Sequence, residues 1–185
     1  MPLSDDFRAE SRKRWDEQAA GWESRRDAVR TATMPVSAWM VDAIDPQPGQ
    51  TVLELAAWAG PEENPWSVLP MRELVARGLI EAPDPDAPGQ FTWGRPGLVA
   101  EHLQAAGFAE HHVEALDFEI PYASVDDWWD AQLALSSRFA GAIAAAAPDV
   151  AADVRAAVER DAEQFARAGG GLRVPARSWV AWATA

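Results

Sequence analysis

The chain contains no cysteine. That excludes disulfides, thiolate metal sites and cysteine nucleophiles. Basic residues are scarce: 16 Lys and Arg against 29 Asp and Glu give a formal net charge of −13. Such a surface repels phosphate backbones, so nucleic acid is not expected as a substrate or partner. The one basic cluster, Arg12-Lys13-Arg14 with Arg25-Arg26 after it, sits in an acidic segment and reads as a solvated helix face. No apolar run approaches the roughly 20 residues that cross a bilayer. The start, Met1 to Glu10, is polar and has no apolar signal core, so a cytoplasmic protein without membrane association is expected. Histidine is limited to three residues. His111 and His112 are adjacent, so on a strand they point to opposite faces, and His102 lies on a separate helix. No converging set of three or four metal ligands is expected. No Ser-His-Asp pattern, P-loop or HExxH motif is present, and no catalytic residue stands out.

Tryptophan, by contrast, is abundant: 10 residues against a single tyrosine. Indoles carry a large apolar body and one donor, so most are expected in the core, with some free to line a pocket for a flat ligand. At 185 residues the chain is long enough for one domain with a real core.

From Asp5 to Arg30, Phe7, Trp15, Ala19, Trp22 and Val29 fall near helical spacing, which predicts one long or two broken amphipathic helices. Gly21 is a weak point in that pattern. Val36, Trp39, Met40, Ala43 and Ile44 predict a helix over 34–44. Asp45 to Gln50 then forms a firm turn. Thr51 to Ala59 is short and mostly apolar, as a strand buried on both faces should be. Asn64-Pro65 opens a helix to Arg77, with Gly78 as its C-terminal cap. Residues 81–90 are proline-rich loop. Pro96 to Ala106 predicts a helix closed by Gly107, and His111 to Glu119 a strand. Ser124 to Asp127 resembles a capping box and starts a long helix to Ala147. Pro148 breaks it, and a further helix carries Val150, Val154, Val158 and Phe165 on one face. Ser178 to Ala183 is a terminal strand.

Two helices, a Pro-Gly turn and then Thr51-Val52-Leu53-Glu54-Leu55-Ala56-Ala57 resemble the opening of a class I S-adenosylmethionine-dependent methyltransferase of the ubiquinone/menaquinone-biosynthesis type. Trp15 followed by Ala20-Gly21-Trp22 is similar to that family's N-terminal helices. The second half resembles the family's C-terminal end. Trp58 to Trp66 looks like the segment after the fifth strand. Leu103 to Phe108 looks like the helix before the sixth, Asp126 to Trp129 like the helical insert, and Trp179 to Trp182 like the last strand. The resemblance implies S-adenosylmethionine as cofactor, held near Glu54, Ala56, Ala57 and Trp22. It implies a small-molecule substrate near Trp15, Asn64 and Trp66. Glu54 is either a cofactor carboxylate or a strand-end residue facing solvent. Trp15 and Trp22 are either a lid or core anchors.

Between Ala57 and Trp58 the family has several strand–helix units of about 30 residues each, so roughly 90 residues are missing here. Those units carry the glycine turn, the ribose-binding carboxylate and the adenine site. Trp58 stands where the first glycine of the turn belongs, and an indole fills the ligand's space. The expected fold is therefore α/β: a shortened, helix-rich, Rossmann-like methyltransferase domain with about three strands and helices on both faces. It divides into an N-terminal helical cap (1–50), a remnant α/β core (51–120), and a helical insert with the terminal strand (121–185). The strand from Val52 to Ala59 should pair with the terminal strand, which pairs with the sixth. The expected activity is small-molecule methylation with impaired cofactor binding; the alternative is a non-catalytic small-molecule-binding or protein-interaction module. The exposed sheet edge predicts self-association.

Overall fold

The computed structural model describes residues 5–45, 53–84 and 87–184. Of the turn expected from Asp45 to Gln50, residues 46–50 lie outside the described residues, as do the first two residues of the predicted strand, Thr51 and Val52. The chain is a helix-rich α/β protein with a small three-stranded sheet. Its elements are α1 (Asp5–Ser24), α2 (Arg26–Ile44), β1 (Leu53–Trp58), α3 (Pro65–Ala76), α4 (Leu98–Ala105), β2 (Glu110–Tyr122), α5 (Val125–Leu135), α6 (Ser137–Ala145), α7 (Pro148–Ala162) and β3 (Leu172–Thr184). No helix among the described residues is long and apolar enough to cross a membrane.

The chain forms two compact units. The first comprises residues 1–30, 69–81 and 122–172. Its core holds Trp128, Phe139, Val154 and Val158, all fully buried. Trp128 lies between the Tyr122 and Phe165 rings, at 5.9 and 6.1 Å. The predicted cap forms: Ser124 Oγ accepts from the Asp127 amide at 3.1 Å, and Asp127 Oδ2 accepts from the Ala123 amide at 2.9 Å. Arg25 then pairs with Asp127.

The single long helix expected after Ser124 is two helices, broken at Ser136. Its hydroxyl accepts from the Phe139 amide at 3.2 Å and starts α6 as an N-cap. A serine side chain offers the backbone a local alternative to helix continuation, and here it wins. The N-terminal region differs in the opposite sense. Residues 34–44 belong to one helix with 26–33, running through Pro35, and the break falls at Arg25.

Tyr122 gives this unit a pH dependence. Burial pushes its hydroxyl well above the ordinary value of 10.0; the Asp127 carboxylate adds to the rise and Arg25 partly opposes it. The folded state thus keeps a proton that the unfolded chain releases above pH 10. Stability is complete below that value and falls as pH rises through it, by about 1.4 kcal/mol per pH unit until the folded hydroxyl titrates. Urea midpoints taken between about pH 9 and 11 should show this slope, and Tyr122→Phe should flatten it.

The second unit comprises residues 31–68, 82–121 and 173–185. It holds the sheet, in the order β1-β3-β2, as the sequence led us to expect. β1 runs antiparallel to the C-terminal half of β3, from Leu53 opposite Ala183 to Trp58 opposite Ser178. Pro175 lies in the other half of β3, beyond the stretch that β1 accompanies. Helices cover both faces. On one, Val99 and Leu103 of α4 pack with Ala181 and Ala183, joined by Leu55, Trp93 and Trp179. On the other, Trp39 of α2 stacks at 6.3 Å on His112, which stacks at 6.2 Å on Trp182. Gly107 closes α4 as predicted, with φ of 93°. Gly78 does the same for α3 with φ of 67°, a conformation only glycine adopts without strain.

Candidate functional site

Strand β1 has β3 on one side; on the other side no strand pairs with it among the described residues. A cleft of about 740 Å³ opens there. Leu55, Ala56, Ala57 and Trp58 all line it. Successive strand residues point to opposite faces, so a cavity touching four in a row wraps around the strand's edge. Thr33 and Val36 of α2 form one wall. The segment 88–93 forms the other, through Pro88, Gly89, Gln90, Thr92 and Trp93. Ser178 of β3 completes the lining.

That second wall is held by specific bonds. Trp179 Nε1 donates to the Gly94 carbonyl at 2.9 Å, and Gln90 Nε2 donates to Ser67 Oγ at 2.6 Å. The Trp93 ring packs 5.4 Å from His102. Gly94 comes so close to the end of β1 that a Cβ there would stand 3.0 Å from the Ala59 carbonyl. The lining is apolar or neutral: no acid or base occurs among the described lining residues.

The residues singled out from the sequence are distributed unevenly. Ala56 and Ala57 line the cleft. Glu54 is on β1, opposite Trp182, with its side chain outside the described set. Trp15 and Trp22 belong to the first unit, where their rings pack 5.5 Å apart on α1 and Trp15 stays 59% exposed. Asn64 is completely buried. Its Nδ2 donates to the carbonyls of Gly60 and Arg177, both at 3.1 Å, and of Ala59 at 3.3 Å. Its Oδ1 accepts from Trp66 Nε1 at 3.1 Å and from the Arg177 amide at 3.2 Å. The side chain therefore joins the end of β1 to β3, while its backbone carbonyl opens α3 by accepting from the Ser67 amide at 3.2 Å. The Trp66 ring packs 4.8 Å from Trp58, and Phe118 lies 6.0 Å from Trp58 on the same sheet face. Neither Asn64 nor Trp66 lines the cleft. Thr92, Trp93 and Val36 do, and sequence reasoning passed over them. Trp93 carried the available signal, an aromatic residue just after a proline-rich loop.

The residues beside β1 do not fit S-adenosylmethionine. A glycine turn would present backbone donors and leave room for the ligand. Here Trp58 and the fully buried Ala59 occupy that stretch. The Ala59 amide is spent on the Arg177 carbonyl at 3.0 Å. Gly60, the first glycine after β1, is extended with φ of −60° and ψ of 164°. No described carboxylate lines the cleft to meet ribose hydroxyls or an amine. Glu73, 19 residues beyond Glu54, lies within α3 and not at a strand end. It accepts from Arg77 at 2.7 Å and pairs with Arg72 at 3.2 Å. Burial alone would raise its pKa, but the two guanidinium groups outweigh that and hold it low.

No family model and no curated protein matches this chain.

Proposed function

We propose that the chain is a non-catalytic binding module of methyltransferase descent, with the cleft beside β1 as its working site. The cleft carries this reading: about 740 Å³ is within the range of ligand pockets, and its lining is apolar with a few neutral polar groups. Methyl transfer is mainly positioning chemistry, in which the cofactor supplies the reactive group. A protein that cannot seat the cofactor has no other route to that reaction, yet it keeps whatever binding surface remains.

Tryptophan fluorescence tests this directly, because Trp58 and Trp93 both line the cleft. Titration with a neutral polycyclic aromatic such as 1-aminoanthracene should quench emission, with or without saturating S-adenosylmethionine. Ala56→Arg places a charge in the lining and should weaken quenching at least about tenfold, since a charge in an apolar site costs more than 1.4 kcal/mol. Quenching that appears only with the cofactor present would point instead to an active methyltransferase.

A further inference from the structure

The cleft has a hydrogen-bonding floor as well as apolar walls. The Ala59 amide donates to the Arg177 carbonyl, which makes 59 and 177 a hydrogen-bonded pair of the antiparallel ladder. Such pairs alternate, so Ala57, Leu55 and Leu53 turn their backbone groups toward β3. Trp58, Ala56 and Glu54 turn theirs the other way, to the free edge. Among the described residues no backbone partner meets those outward groups. Each residue brings one donor and one acceptor, spaced as a neighbouring strand requires.

The space beside that floor is large enough for a short strand. Val36 stands on one side of the sheet plane and Trp93 on the other, and the gap between them lies alongside β1. A strand between two covering layers occupies about 160 Å³ per residue, from a rise of about 3.3 Å, a spacing of about 4.8 Å and a layer separation of about 10 Å. A volume of about 740 Å³ then holds about five residues, close to the length of β1. A compact small molecule satisfies one or two of the outward groups; an added strand satisfies the whole row.

We infer that the cleft receives an extended peptide from another protein, which adds to the sheet as a fourth strand beside β1. This rests on the cleft being the working site proposed above. The peptide must be a bare strand. A second copy of this chain would bring its own α2 and its own 88–93 segment onto the same two faces, where the first copy's already stand. It would also bring a second net charge of −13. The apolar walls select small apolar side chains in the middle. Exposed Glu62, just beyond the end of β1, and the acidic surface as a whole select lysine or arginine at the flanks. Main-chain bonds would supply affinity, and the pockets on either side of the edge would supply selectivity.

The probe is a synthetic peptide of alternating valine and alanine, about five residues long, with two lysines at each end. Amide exchange is followed residue by residue on the whole protein. The expected result is at least tenfold slower exchange at Ala56 and Trp58 on peptide addition. Leu55 and Ala57, already in the ladder with β3, should not change. Ala56→Pro removes an outward donor at a position where an edge strand tolerates proline. It should weaken peptide binding at least tenfold, read as loss of the slowing at Trp58. Quenching by the aromatic probe with no slowing of Ala56 and Trp58 by the peptide would overturn the inference and leave the binding-module reading standing. Slowing that follows protein concentration without peptide would overturn it in favour of self-association. Failure of both probes would sink the inference and the binding-module reading together.

Discussion

Asn64→Ala should cost about 4 kcal/mol of stability, read as a lowered urea midpoint with an unchanged slope. The substitution leaves the Arg177 amide and the indole N–H of Trp66 without the oxygen that now accepts from both. It also strips a donor from the carbonyls of Gly60 and Arg177. The Asn64 side chain is fully buried, so water cannot take its place without opening the strand end, and each of the four partly buried groups that loses its bond to Asn64 costs about 1 kcal/mol. Asn64→Asp keeps the acceptor but sets a carboxylate against carbonyl oxygens, and should destabilise as well. A loss below about 1 kcal/mol for Asn64→Ala would remove the residue from its place as the tie between β1 and β3. The same substitution separates structure from binding. A substrate contact would lower ligand affinity in a protein of normal stability, which is not the pattern expected here.

Gly21→Ala should destabilise the first unit by about 2 kcal/mol. A Cβ on Gly21 would stand 2.0 Å from the carbonyl oxygen of Ala134, which α1 and α5 can relieve only by moving apart. That carbonyl also accepts from Gln18 Nε2 at 3.1 Å, a bond lost with the movement. Overpacking of this kind costs about 1–3 kcal/mol, against a gain of about 0.5–1 kcal/mol from replacing glycine inside a helix. The clash wins. Gly141 in α6 is the matched control, because nothing lies within 4 Å of its would-be Cβ. Gly141→Ala should raise stability by about 0.5–1 kcal/mol. If the two alanine variants moved in the same direction, the close approach of α1 to α5 would be refuted.

Gly21 also shows what a single sequence can and cannot disclose. It was legible as a defect in a helical pattern, but its reason is a helix more than a hundred residues away in the chain. Ser136 was illegible for a different cause: a polar residue inside an apolar helical run is common, and only its bond to the Phe139 amide marks a cap. Local chemistry with few alternatives was read correctly. Pro65 opens α3, Gly78 and Gly107 close helices in the left-handed region, and Ser124 caps α5. Strand order was legible through the resemblance, which put the strand after the Pro-Gly turn beside the terminal strand; Leu53 to Trp58 pairs with Ser178 to Ala183. The cleft was only half legible. Ala56 and Ala57 were placed there by the strand, whereas Thr92 and Trp93 come from a loop whose path no periodicity encodes. Asn64 was read as opening the helix at Pro65 and, through the resemblance, as lying near the substrate; its polar side-chain atoms meet the backbone of the strand ends and Trp66.

Trp58 was the residue at which the sequence departed most from a cofactor site, and its ring lies between Trp66 and Phe118. An indole so placed at the end of β1 leaves no cradle for a methionine moiety. Calorimetric titration of the whole chain with S-adenosylmethionine therefore measures the central claim. The expected result is no saturable heat up to millimolar cofactor, in the same sample whose tryptophan emission 1-aminoanthracene quenches. Saturable binding with low-micromolar affinity would contradict it and favour an active methyltransferase.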